Sequence, residues 1–150
     1  MPEAIIFTGI QASAKSTFYK ERFFQTHVRV SLDMLRTRNR EKKLIQYCLD
    51  TEMSFVIDNT NPSQKDRNRY FDLVSRHQFE VHGYYFQSKV GDCILRNNAR
   101  SEKEKIPAVG IRSTHAKLAL PSLSEGYSHL WYVRMSKNGG FKVEPFSDEI

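Results

Sequence analysis

An apolar run, AIIF, leads directly into GIQASAKST at residues 9–17, and this junction restricts the chain's possible folds more than any other feature. A phosphate-binding loop reads G-x-x-x-x-G-K-[ST] and lies between a buried strand and a helix. Gly9, Lys15 and Ser16 stand in the required places, but Ala14 occupies the position of the second glycine. If position 14 needs a positive φ, an alanine there costs about 1–2 kcal/mol. Gly9, Ile10, Gln11, Ala12, Ser13, Ala14, Lys15, Ser16 and Thr17 are therefore the expected nucleotide-binding residues. Their backbone N–H groups and the positive end of the following helix suit an anion. Lys15 would reach the outer phosphates of ATP, and Ser16 would offer its hydroxyl to Mg2+.

The rest of the chain keeps the same alternation of strand and helix. Short apolar runs lie at 27–31 (HVRVS), 54–58 (SFVID), 79–86 (FEVHGYYF) and 129–135 (HLWYVRM). Between them fall helical patterns from about Lys15, with Phe18, Phe23 and Phe24; at roughly 33–51, with Leu35, Leu44, Ile45 and Leu49; and at about 89–100. Asn61 with Pro62 and Gln64 predicts a capped helix start there. A further helical segment precedes Pro121, and SKNGG before FKVEPF predicts a closing hairpin over about 129–146, with an acidic tail after it. Such alternation specifies an α/β fold: a parallel five-stranded sheet with helices on both faces. One domain accounts for all 150 residues.

In sheets of this type ligands gather at the carboxyl ends of the strands, and the residues best suited to chemistry lie there. Asp58 closes the third strand and leads into DNTN, which suits a second magnesium carboxylate, with Asn59 beside it on the substrate side. The plainer reading of DNTN is a polar turn into the Asn61 cap. Asp33 and Arg36 follow the second strand at a spacing that shares a helix face. The aspartate could accept a proton from an incoming hydroxyl, and the arginine could hold a substrate phosphate. Arg96 and Arg100 are four apart on a later helix, before the polar stretch SEKEKIPAVG, which reads as a lid over about 101–111. Arginines closing on a transferring phosphoryl group stabilise its charge. Taken alone, the first pair would equally be a helix-entry aspartate with a solvated arginine, and the second would be read as a surface helix with two arginines.

Composition narrows the partners. There are 23 Lys and Arg against 17 Asp and Glu, a net charge of +6, which favours an anionic partner. Cys48 and Cys93 form no C-x-x-C, so neither a disulfide framework nor a zinc site is expected. The N-terminus does not read as a signal peptide, and no stretch is long enough to span a membrane, so a cytoplasmic protein is expected. His27, His77, His82, His115 and His129 lack metal-ligand spacing, and Trp131 and Tyr132 read as core.

GIQASAKSTF, the aspartate of VSLDMLR, VIDNTNPSQKDRNRY and LRNNAR together resemble the 5′-kinase domain of polynucleotide kinase. The bacterial stand-alone ATPases grouped with it, in the zeta-toxin-like set of P-loop kinases, are a closer likeness still. The likeness runs from about residue 4 to residue 133. It implies a P-loop kinase fold with a helical lid and a C-terminal hairpin, and it implies ATP and Mg2+ as cofactors. By the same resemblance Asp33 is the general base on a 5′-hydroxyl, Arg36 holds the acceptor phosphate, and Arg96 and Arg100 are lid arginines on the donor phosphates. A DNA or RNA 5′ end is then the implied partner. These residues contain no D-x-D-x-T motif of a phosphatase partner domain, so a two-activity enzyme is not expected of them. Three functions stay open on sequence: a polynucleotide 5′-kinase, a small-molecule kinase, and a nucleotide binder whose turnover is impaired by Ala14.

Overall fold

The computed structural model describes residues 1–147; the expected acidic tail, from Asp148 onward, lies outside them. Six strands form one sheet: β1 (Glu3–Thr8), β2 (Val28–Val30), β3 (Phe55–Ile57), β4 (Glu80–Phe86), β5 (His129–Met135) and β6 (Phe141–Pro145). Their order is β2-β3-β1-β4-β5-β6. The first five run parallel, as expected, and β6 pairs antiparallel with β5 as the closing hairpin.

Every residue of β1 from Ala4 to Thr8 is buried, which is why AIIF reads as an unbroken apolar run. Its side chains divide by the pleat. Ala4 and Ile6 enter one core with Val30, Ile45, Leu49, Phe55, Ile57, Tyr70 and Val74. Ile5 and Phe7 enter a second with Phe18, Tyr19, Phe23, Val56 and Phe86. The first core is covered by α3 (Arg38–Thr51) and α4 (Gln64–Val74), the second by α1 (Lys15–Arg22). Phe23 and Phe24, expected on the first helix, lie beyond its end at Arg22; Phe23 is buried and Phe24 is 65% exposed.

Two boundaries differ from the sequence reading. The helix expected over 33–51 is broken: α2 covers only Leu32–Leu35, Arg36 has φ 75°, and Thr37 starts α3 by accepting a hydrogen bond from Arg40 N–H. The helix expected to start at Asn61 starts two residues later. Ser63 and Asp66 form the reciprocal cap, while Asn61 Nδ2 donates to the Phe7 carbonyl at 2.8 Å. Farther on, α5 (Val90–Asn98) and α6 (Ala108–Lys117) enclose a third small core of Ile10, Ala12, Cys93 and Ile111 under the loop. The expected lid segment is therefore irregular only up to Pro107 and helical from Ala108.

Arg67 on α4 is fully buried and forks onto Glu125, with Nε 2.8 Å and Nη2 3.2 Å from its two carboxylate oxygens. Its Nη1 also donates to the Asn61 and Pro62 carbonyls, so it fixes the turn after β3. Removing one partner strands the other charge in a dry site. Glu125→Ala is expected to cost about 3–5 kcal/mol in urea unfolding. The paired change Arg67→Met with Glu125→Leu should cost less than either single loss; an equal or greater cost would mean that the bonds from Arg67 to the Asn61 and Pro62 carbonyls, not the ion pair, hold the turn.

Candidate functional site

At the carboxyl ends of the strands lies a cavity of roughly 300 Å³, walled by residues of the 9–17 loop together with Leu32, Asp33, Asp58, Asn59, Thr60, Arg100 and Ile106. The loop keeps its shape through contacts on both sides. Gly9 N–H donates to the Thr60 carbonyl at 3.0 Å. A methyl group at Gly9 would lie 2.7 Å from Ser13 Oγ and 2.9 Å from Phe86 Cβ, so only glycine fits. Ile10 N–H donates to Ser88 Oγ at 3.1 Å. Ala14 stands at φ 75°, ψ 24° as the residue that starts α1, and Ala12 has φ 62°. The conditional expectation for position 14 is thus met: it is left-handed, and alanine is strained there.

Lys15 is buried, and its ammonium donates to the Gly9 carbonyl at 2.9 Å, the Ile10 carbonyl at 2.8 Å and Ser13 Oγ at 3.3 Å. Burial lowers its pKa to about 8; Asp58 and Asp33 oppose that shift and Arg100 adds to it. Ser16 Oγ donates to Asp58 Oδ2 at 2.9 Å. A hydroxyl and a carboxylate side by side are hard oxygen donors of the kind Mg2+ takes, so this pair fits such an ion.

The remaining expected residues separate by position. Asp33 is exposed on α2 and faces the cavity. Its placement depends on Asn59, whose Oδ1 accepts from Leu32 N–H at 2.9 Å. Asn59 Nδ2 donates to Glu41 Oε2 at 2.9 Å and to Tyr70 Oη at 3.2 Å. Asn59 thus borders the cavity and also positions α2. Arg36 is exposed and is not part of the cavity wall, because the break at φ 75° turns it off the face Asp33 occupies. Arg100 lines the cavity just beyond the end of α5. Arg96 does not: its Nε donates to the Ala12 carbonyl at 2.7 Å and its Nη2 to Cys93 Sγ at 3.3 Å. The shared helix face predicted for the two arginines ends with the helix at Asn98. Asn97 clamps the expected lid segment to α5, its Oδ1 accepting from Ile106 N–H at 2.9 Å and its Nδ2 donating to the Ile106 carbonyl.

The sequence reading missed two groups of residues. Arg29 on β2 donates from Nε to Asp58 Oδ2 at 2.8 Å and from Nη2 to Ser16 Oγ at 3.1 Å. Behind Asn59, Glu41, Tyr70 and Arg38 form one network, with Arg38 Nη1 at 2.9 Å from Glu41 Oε1 and 3.0 Å from Tyr70 Oη. Burial, with Glu41 beside it, pushes the Tyr70 phenol up to about 12, so it remains a donor at neutral pH. His27 and His82 pair with Glu3 and Glu80 at the opposite end of the strands, away from the cavity.

An AAA domain family profile matches residues 34–121, which begin after the loop and include Asp58 and both candidate lid arginines. The bifunctional polynucleotide phosphatase/kinase of Schizosaccharomyces pombe is 26% identical over 133 residues, covering 85% of this chain and 32% of that protein. The chain therefore spans about a third of the length of that relative. Among solved structures, a chain of the Pnkp1/Rnl/Hen1 RNA repair complex superposes with a TM-score of 0.65 at 20% identity, over 97% of this chain and 49% of that one. A chain of the PezAT toxin–antitoxin system of Streptococcus pneumoniae gives 0.66 at 13% identity, over 98% and 74%. A gluconokinase from Sinorhizobium meliloti gives 0.64 at 12% identity, over 89% and 82%. The fold is that of P-loop kinases.

Relief of the strain at position 14 is directly measurable. Ala14→Gly removes a left-handed penalty of about 1–2 kcal/mol and adds back about 0.4–1 kcal/mol of chain entropy. A net stabilisation between about zero and about 1.6 kcal/mol is expected in urea unfolding; a clear loss of stability would mean that residue 14 is not strained in solution.

Proposed function

Because the chain belongs to the AAA domain family and has a P-loop kinase fold, we propose that it is an ATP- and Mg2+-dependent phosphotransferase acting on the 5′-hydroxyl of a polynucleotide. The observation that carries this reading is the convergence of Lys15, Ser16, Asp58, Asp33 and Arg100 on one cavity. Lys15 and the loop N–H groups would hold the nucleotide phosphates. Ser16 and Asp58 would hold the metal, which when bound neutralises charge on the phosphate oxygens. Arg100 would bring a fixed positive charge to the donor side. Asp33, also in the cavity wall, would accept the proton of the attacking hydroxyl. Phosphoryl transfer needs little else from a protein beyond positioning and charge.

The polynucleotide acceptor has support of its own. Arg36, in the break between α2 and α3, and Arg40, Lys42 and Lys43 on α3 are exposed along the chain just after Asp33. A strand entering there would meet a run of cations. A relative that is 26% identical is a bifunctional polynucleotide phosphatase/kinase.

Transfer of labelled γ-phosphate to a 5′-OH oligonucleotide tests the proposal. Asp33→Asn should bind ATP unchanged and lose transfer by about 10²–10⁴-fold; undiminished transfer would remove Asp33 as the base. Oligonucleotide affinity should fall steeply with salt, with a log–log slope near −0.7 for each phosphate neutralised. Transfer to sugars but not oligonucleotides would replace the acceptor and leave the donor site standing. ATP binding without any transfer would mark a nucleotide binder.

Lys15 supplies a pH test of the donor site. Its folded pKa of about 8 is below the ordinary 10.5, so above pH 8 the free protein carries it largely neutral. A triphosphate favours the ammonium, so binding must take up a proton in the window from about 8 towards 10.5, and affinity must fall as pH rises through it. Calorimetry at about pH 8.5 in buffers of different ionisation enthalpy measures that uptake. Its absence would show that Lys15 does not contact the phosphates.

A further inference from the structure

We propose that Arg29 controls divalent metal at this site, excluding the free ion and admitting it only together with the nucleotide phosphates. The inference rests on the kinase reading above. Arg29, Ser16 and Asp58 form a closed triangle of hydrogen bonds: Nε to Asp58 Oδ2 at 2.8 Å, Nη2 to Ser16 Oγ at 3.1 Å, and Ser16 Oγ to Asp58 Oδ2 at 2.9 Å. The guanidinium thus engages both oxygen donors that fit the metal. Asp58 is nearly buried, with 2% of its side chain exposed, so its carboxylate has little access to other partners.

Arg29 is held there by the fold. It sits in β2 in register with Val56 of β3, which sends its side chain to the face covered by α1. Its guanidinium carbon lies 6.0 Å from the centre of the Tyr19 ring. Tyr19 is itself fixed, its hydroxyl donating to the His27 carbonyl at 2.6 Å. A planar fork on an aromatic face is a preorganised donor, unlike a flexible surface lysine.

The charges around the cavity give the arrangement its consequence. Lys15, Arg29 and Arg100 stand against Asp33 and Asp58, so cations outnumber carboxylates. A bare divalent cation gains little by entering, because the Asp58 charge is already answered by Arg29. A metal–triphosphate complex is net negative, and the same excess of cations attracts it. Arg29 is therefore a positioning residue: it orients Asp58 and sets the order in which metal and nucleotide combine with the protein.

The test uses the full chain and Mn2+ as an ion visible by electron paramagnetic resonance. Without nucleotide, Arg29→Met should bind Mn2+ about 10-fold or more tightly than the parent, within the 10- to 100-fold range over which groups bonded to metal ligands act. Arg29→Lys keeps the charge but loses the fork, so it should fall between the two; it also carries the test if Arg29→Met does not fold, as judged by thermal melting. With a non-hydrolysable ATP analogue present, the gap between the parent and the variants should narrow. Equal or weaker Mn2+ binding in folded variants would overturn the role of Arg29 while leaving the kinase reading intact. Failure of the parent to bind the analogue with Mn2+ would overturn the kinase reading itself, and this inference with it.

Discussion

The pairing of Ile6 with Ile57 brings the carboxyl ends of β1 and β3 side by side, and the chemistry of this molecule depends on that register. From the end of β1 the chain continues into Gly9 and the loop; from the end of β3 it continues into Asp58 and Asn59. Two cross-links keep the exits together: Gly9 N–H to the Thr60 carbonyl, and Asn61 Nδ2 to the Phe7 carbonyl. A slip by one residue would exchange the two faces of β1, moving Ile5 and Phe7 out of their aromatic core and Asp58 away from Ser16. Hydrophobic burial thus sets the site geometry before any polar contact refines it.

What could be read from sequence follows from the range of the interactions involved. Buried parallel strands are apolar throughout, and a loop between strand and helix has a fixed spacing, so β1 and the Lys15 helix start were legible locally. The break at Arg36 was harder, because Leu35, Leu44 and Ile45 continue a helical period across it. A local signal did exist in Thr37, a good starting residue for α3, and in Glu41 within its first turn. At Asn61 two capping patterns overlap, and the wrong one was favoured because Pro62 suits a first helical position. Ser63 with Asp66 forms the real box, since Asn61 is drawn off to Phe7. The long-range partners of Arg29, Tyr70 and Arg67 carried no local signal. Arg29 meets a partner 29 residues away and Arg67 one 58 away, and only the folded topology brings them together.

The polar residues around the cavity form two tiers. Lys15, Ser16, Asp33, Asp58 and Arg100 face the open space. Glu41, Tyr70 and Arg38 lie behind Asn59, which also borders the cavity, and Arg29 lies behind Asp58. Side chains in the first tier that act on charge need support from the second, because an unsupported exposed aspartate samples many rotamers. Asn59 joins the two: it borders the cavity, and its amide, bonded to Leu32, Glu41 and Tyr70, also places α2.

Arg96 explains how a strained loop persists without its second glycine. Ala12 and Ala14 both lie at positive φ, each at a cost of about 1–2 kcal/mol. A neutral turn would relax that strain by unwinding. Here the Ala12 carbonyl accepts from Arg96, the Ile10 N–H donates to Ser88, and Lys15 bridges the Gly9 and Ile10 carbonyls. Hydrogen bonds to charged groups contribute about 1.5–3 kcal/mol each, so the two charged donors together offset the strain of both alanines. The strain is therefore carried by α5 and by the loop's own lysine, within the free protein. Arg96 thus holds the loop in the shape that brings Lys15 to the cavity.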